Sequence, residues 1–167
     1  MCCDGALFHM AVLQEGEQAF ATLLGMTLLQ SPKNNGFQLP CHLFRGGCCS
    51  IYEQQRPKVC GMFECKLLRR YQLGGISLEE GLEKVRRARE LLSLIASLMP
   101  QRFDKTITFQ ELITQMNLLS IASEAERRQQ LPFLMEATKY LMFVRSNFFV
   151  KLQKKAPPLN DEPEMTA

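Results

Sequence analysis

No apolar run in this sequence approaches the roughly 18 residues that a membrane-spanning helix requires, so no transmembrane segment is expected. The opening Met1-Cys2-Cys3-Asp4 has no basic stretch ahead of an apolar one, so no secretory signal is expected either. Charge of one sign is also lacking. Twenty basic residues face 17 acidic ones for a net charge of +3, too mild for an electrostatic nucleic-acid footprint. Aromatic residues make up only 8% and seldom fall between basic ones, which argues against a stacking surface for single strands. Tryptophan is absent, and His9 and His42 are the only histidines. There is no glycine-rich cofactor loop and no internal repeat. Beyond position 65 there is no cysteine and no histidine, so that part of the chain has no evident ligand or nucleophile set.

Apolar residues at 46% and charged residues at 22% form an ordinary globular balance. A chain of 167 residues is one domain, or a small module with a helical extension. It can bury roughly 70% of its unfolded surface. Arg56, Lys58, Lys66, Arg69, Arg70, Lys84, Arg86, Arg87 and Arg89 bunch together, and they read as solvated helix and loop faces.

All seven cysteines fall in the first 65 residues: Cys2, Cys3, Cys41, Cys48, Cys49, Cys60 and Cys65. Scattered core thiols would not stop there. An odd number without an export signal fits a disulfide framework poorly, and the cytoplasm, where thiols stay reduced, is the expected compartment. A cysteine-bound zinc or iron–sulfur site is the favoured reading, because thiolates suit both and each takes about four of them. Disulfides and unrelated core thiols remain the alternatives. No pair of CxxC knuckles is present, so the arrangement is not a zinc ribbon. His42, directly after Cys41, is a candidate further ligand and His9 a weaker one, with supporting or exposed roles preferred for both.

Along the chain, residues 1–8 read as a loop with a turn at Asp4-Gly5. A helix is expected over 15–29, a breaker over 31–36, and an extended segment over 37–43. A tight turn is expected at Gly46-Gly47, and a short strand over 49–52. Pro57 is expected to start a short helix carrying both Cys60 and Cys65. Tyr52 reads as a packing residue with a polar tip, and Arg56 as a brace for a carbonyl or carboxylate. Three capping boxes then follow. Ser77 with Glu80 starts a helix running to Pro100, its core face read as Leu82, Val85, Leu92, Ile95, Leu98 and Met99. Thr108 with Glu111 starts one to about residue 121. Ser123 with Glu126 starts one to about residue 151, with Pro132 as a restart.

Four segments in order carry a resemblance: 2–8 (CCDGALF), 39–41 (LPC), 49–57 (CSIYEQQRP) and 60–68 (CGMFECKLL). Together they resemble the YkgJ-type cysteine-cluster family, described as zinc- or iron-chelating proteins, over residues 2 to about 70. The resemblance implies Cys2, Cys3, Cys41, Cys49, Cys60 and Cys65 as metal ligands. Cys48 stands where the family has another residue. The family's cysteines upstream of the CC pair have no counterpart here, so either the start lies further upstream or a ligand is lost. Some relatives are linked to flagellin methylation, which adds a redox or methyl-transfer enzyme as an alternative.

The expected fold is mainly α. A small irregular cysteine-rich, metal-stapled module with few short strands occupies residues 1–70, and a region of about three helices follows. The expected divisions are 1–75, 76–155 and a disordered tail at 156–167. The expected function is metal binding, with zinc or iron, including an iron–sulfur cluster, held by thiolates. A metal-free helical adaptor or chaperone-like protein is the alternative. The expected partners are the metal ion and an unidentified protein, with neither membrane nor nucleic acid.

Overall fold

The computed structural model describes residues 1–30, 34–99 and 107–149. The expected tail at 156–167, part of the 31–36 breaker, and the ends of the helices expected at Pro100 and residue 151 lie outside these.

The described residues are mainly helical, with a few short strands. Strand β1 (Met10–Val12), helix α1 (Gln18–Leu23), β2 (Leu28–Gln30) and β3 (Asn35–Gln38) come first. β3 lies between β1 and β2 and is antiparallel to both. Gly36 is at the centre of this small sheet because a Cβ there would stand 2.5 Å from the Ala11 carbonyl oxygen. The helix expected over 15–29 is therefore only six residues long. Gly25 ends it with a φ of +72°, and Leu28–Gln30 joins the sheet instead. Propensity favoured continuing the helix, but a glycine turn and a strand partner 36–37 residues into the chain override it.

Strands β4 (Phe44–Arg45) and β5 (Cys48–Cys49) form a hairpin closed by Gly46 and Gly47, both at positive φ. This is the two-residue turn that matches strand twist. The strand expected over 49–52 thus ends at Cys49. Helices α2 (Lys58–Met62) and α3 (Lys66–Gln72) follow, with Pro57 as N-cap of α2. Cys60 is on α2, but Cys65 is not: it is the N-cap of α3.

The long helices begin where side chains satisfy orphan amides. α4 (Leu78–Leu98), α5 (Phe109–Ser120) and α6 (Glu124–Gln129) each open with a complete capping box, on Ser77, Thr108 and Ser123. Pro132 sits in the first turn of α7 (Leu131–Asn147), which breaks away from α6 at Gln130. Four helices thus occupy the described part of the stretch where about three were expected.

α4 and α7 pack against each other. Their buried face joins Ala88, Leu91, Leu92 and Ile95 to Phe133, Ala137, Tyr140 and Val144. The core face expected for α4 is corrected at one end: Leu82 is 52% exposed. The second half of the chain does not build this core alone. Ala6, Leu7 and Leu67 are buried in it. A second, smaller cluster of Leu13, Ala21, Met26, Phe37 and Leu39 backs the sheet.

Candidate metal centre

Residues 1–9 are fixed by groups far along the chain. The buried Tyr140 hydroxyl donates to the Ala6 carbonyl at 2.6 Å. The Phe109 amide donates to the Gly5 carbonyl at 2.8 Å. Asp4 accepts from the Ala6 amide at 3.0 Å and pairs with Arg89 of α4 at 3.6 Å. Gly5, at φ +74°, lets the chain pass Pro40 closely, since a Cβ there would meet the Pro40 nitrogen at 3.0 Å. Two further bonds tie this segment to the one carrying Cys41. The Leu39 amide donates to the His9 carbonyl, and the Cys41 amide to the Cys3 carbonyl, both at 2.9 Å.

Cys3 and Cys41 are thereby neighbours across 38 residues of chain. Cys49 sits in the β4–β5 hairpin opposite Phe44, half-buried, while Cys48 opposite Arg45 is exposed. Cys60 comes in on α2. Burial pushes the Cys60 thiol up to about 11, and Cys3, Cys41 and Cys49 push the same way while Arg56 opposes them. The Cys3 thiol is raised as well, first by burial, then by Cys41 and, more weakly, Cys49 and Asp4, with a terminal amino group opposing. Thiols from three other chain segments therefore lie within electrostatic reach of Cys60, and two of these, Cys41 and Cys49, also within reach of Cys3.

Cys2 and Cys65 form an adjoining pair. Both are half-buried and pack against the helical core. Burial is the main reason the Cys2 thiol is pushed up to about 11, and Cys65 and Cys3 add to it. The Cys65 sulfur accepts the Leu68 amide at 3.4 Å, capping α3, and the next residue anchors to α7 through Lys66 N–H to the Phe148 carbonyl at 3.0 Å. Cys48 enters none of these relations.

Among the described residues, no three His, Cys, Asp or Glu side chains are disposed to clasp a metal ion as they stand. The donor chemistry nonetheless suits a thiophilic metal, since four thiols are the ligand type and number that tetrahedral zinc or an iron–sulfur cluster takes. Neither histidine belongs to the cluster's core. His42 is exposed with its ring against the Gly25 turn, and His9 contributes its backbone carbonyl. Tyr52 is no packing residue: it is 62% exposed, and the Arg56 guanidinium lies over its ring at 4.4 Å. That contact places a cation beside Cys60.

Glu17 has no signature in the sequence beyond its turn, yet it locates α2. Its carboxylate accepts the Lys58 amide at 2.8 Å and the Gln14 amide at 2.9 Å. The first of these satisfies an orphan amide of α2 from 41 residues away. These two bonds hold the Glu17 carboxyl below the usual carboxylate range, the Lys58 amide having the larger effect. The stabilisation is therefore complete above the ordinary glutamate pKa and is lost as pH falls through the depressed folded value. Glu17→Gln is expected to cost about 1 kcal/mol, the ordinary worth of a helix cap. It should also flatten the acid limb of the pH–stability curve and speed amide exchange at Lys58. Urea titrations from pH 3 to 7 with hydrogen-exchange mass spectrometry check this.

No protein-family model, curated protein or solved structure matches this chain.

Proposed function

We propose that this protein binds zinc or iron, the latter including an iron–sulfur cluster, through cysteine thiolates. Cys3, Cys41, Cys49 and Cys60 are the principal ligands, and Cys2 and Cys65 are an adjoining pair. The observation that carries the reading is the convergence on Cys60 of Cys3, Cys41 and Cys49, from three other segments of the chain. The resemblance of residues 2 to about 70 to the YkgJ-type cysteine-cluster family supports it independently.

In this reading the metal gathers loops that share little core of their own. Cys3 arrives on a segment pinned by α4, α5 and α7, Cys41 on the strand exit, Cys49 on the hairpin and Cys60 on α2. Zinc would bring the sulfurs to about 2.3 Å from the ion and displace their protons, which makes uptake favour higher pH. Arg56 faces the negative charge that four thiolates confer, and Tyr52 holds its guanidinium in place. An iron–sulfur cluster would add electron transfer, whereas zinc would be structural.

The second reading is a metal-free helical adaptor. The observation favouring it is that the thiols as placed form no closed ligand set among the described residues. One purification separates the two. Protein prepared anaerobically without chelator is expected to carry tightly held metal: either about one zinc without colour, or several irons with a brown visible spectrum. Neither metal at useful occupancy would discard the metal reading in favour of the adaptor.

A further inference from the structure

α4 has two apolar stripes, and only one is covered. Ala88, Leu91, Leu92, Ile95 and Met99 face the core. A second stripe, Leu78, Leu82, Val85 and Arg89, advances by four, three and four residues and so lies on one side of the helix. It lines a shallow open concavity together with Glu79 and Arg86. Leu78 is 57% exposed and Leu82 52%, whereas further along the same side Leu92 is buried and Ala96 packs on the core. The first turns of α4 thus present an apolar seam that is open at Leu78 and Leu82, while Val85 is half-buried and packs partly on the core.

The charges beside the seam select the occupant. Glu79 and Arg86 lie seven residues apart on its outer border, opposite in sign, and neither takes part in an ion pair among the described residues. When two such helices pack in antiparallel fashion about a two-fold axis between Leu82 and Val85, Glu79 of each copy meets Arg86 of the other. Parallel packing would set like charges at the same level. On the inner border stands Gly81, small enough for close helix approach. Arg89 lays its aliphatic stem along the seam while its guanidinium stays with Asp4.

We propose that two copies of this chain associate through antiparallel two-fold packing of α4, with Leu82 of each copy meeting Val85 of the other, Leu78 meeting the Arg89 stem, and Glu79 facing Arg86. The seam is about 16 Å long at 1.5 Å per residue. An interface of that length belongs to the small class, so the dimer is weak and reversible.

Sedimentation velocity on the full chain, from about 5 μM to 1 mM, tests this. The weight-average mass is expected to rise from that of the 19.1 kDa chain toward twice that value. L82E should hold it at the monomer, with an unchanged helical circular-dichroism signal because Leu82 supports no core. E79R and R86E each replace two attractive pairs by two repulsive ones and should weaken association about tenfold, whereas the E79R/R86E double variant should return to within about threefold of the original. A monomer at every concentration, a dimer that survives L82E, or a double variant as weak as the single ones would overturn the proposal.

Discussion

Serine at Cys41, Cys49 or Cys60 is expected to cost the protein its metal and much of its stability, while serine at Cys48 leaves both nearly unchanged. The contrast follows from placement. Cys3, Cys41 and Cys49 act together on the Cys60 thiol, whereas Cys48, one residue from Cys49, points the other way along a two-residue strand and is exposed. A thiolate zinc site in a small module contributes on the order of 10 kcal/mol of folding free energy. Removing one of four ligands leaves an incomplete shell, and metal affinity should fall by at least about 100-fold, beyond the loss typical of supporting groups. Metal content after dialysis and urea midpoints for the four single variants give the readout. If all four remain folded and keep the same metal content as each other, the ligand assignment is wrong. Because serine replaces only the sulfur atom and none of Cys41, Cys49 and Cys60 is fully buried, the substitution by itself removes little packing, so a large loss of stability reports on the metal.

Tyr140→Ala is expected to destabilise the fold by about 3–5 kcal/mol, and Tyr140→Phe by about 1–3 kcal/mol. Tyr140 is the largest fully buried side chain among the described residues, and its ring closes the α4–α7 interface. Its hydroxyl donates to the Ala6 carbonyl at 2.6 Å, so phenylalanine keeps the ring and takes that bond from a carbonyl in the core. Burial, with a smaller effect from Asp4, raises the hydroxyl well above the usual tyrosine range, which favours its protonated, hydrogen-donating form. The consequence for the site is separable from the loss of stability. With the hydroxyl gone, the segment carrying Cys2 and Cys3 is held by one tie fewer. Tyr140→Phe should therefore speed alkylation of the metal-free Cys2 and Cys3 thiols under conditions where the helical signal is intact. Unchanged alkylation beside the expected fall in urea midpoint would mean that Tyr140 serves the core alone.

The helical half was largely legible in the chain. Each capping box closes between residues three apart, so Ser77 with Glu80, Thr108 with Glu111 and Ser123 with Glu126 mark α4, α5 and α6 without reference to anything else in the molecule. The Gly46-Gly47 hairpin is equally local. Helix periodicity failed where a neighbouring segment offered a competing partner. α1 stops at Leu23 because the residues after Gly25 pair with β3, five to nine residues on, and α2 stops before Cys65, which caps the next helix.

The sequence by itself determined which side chains are available for chemistry: a set of thiols confined to residues 2–65, followed by helices that begin at self-sufficient caps. It did so because composition and three-residue hydrogen-bond closures need no tertiary context. Only the tertiary structure decided which thiols meet, that Ala6 and Leu7 belong to the helical core, that Glu17 caps a helix 41 residues on, and that Leu82 faces outward. These depend on contacts between residues 11 to 134 positions apart, and on which side of an amphipathic helix another element happens to cover, which periodicity alone does not specify.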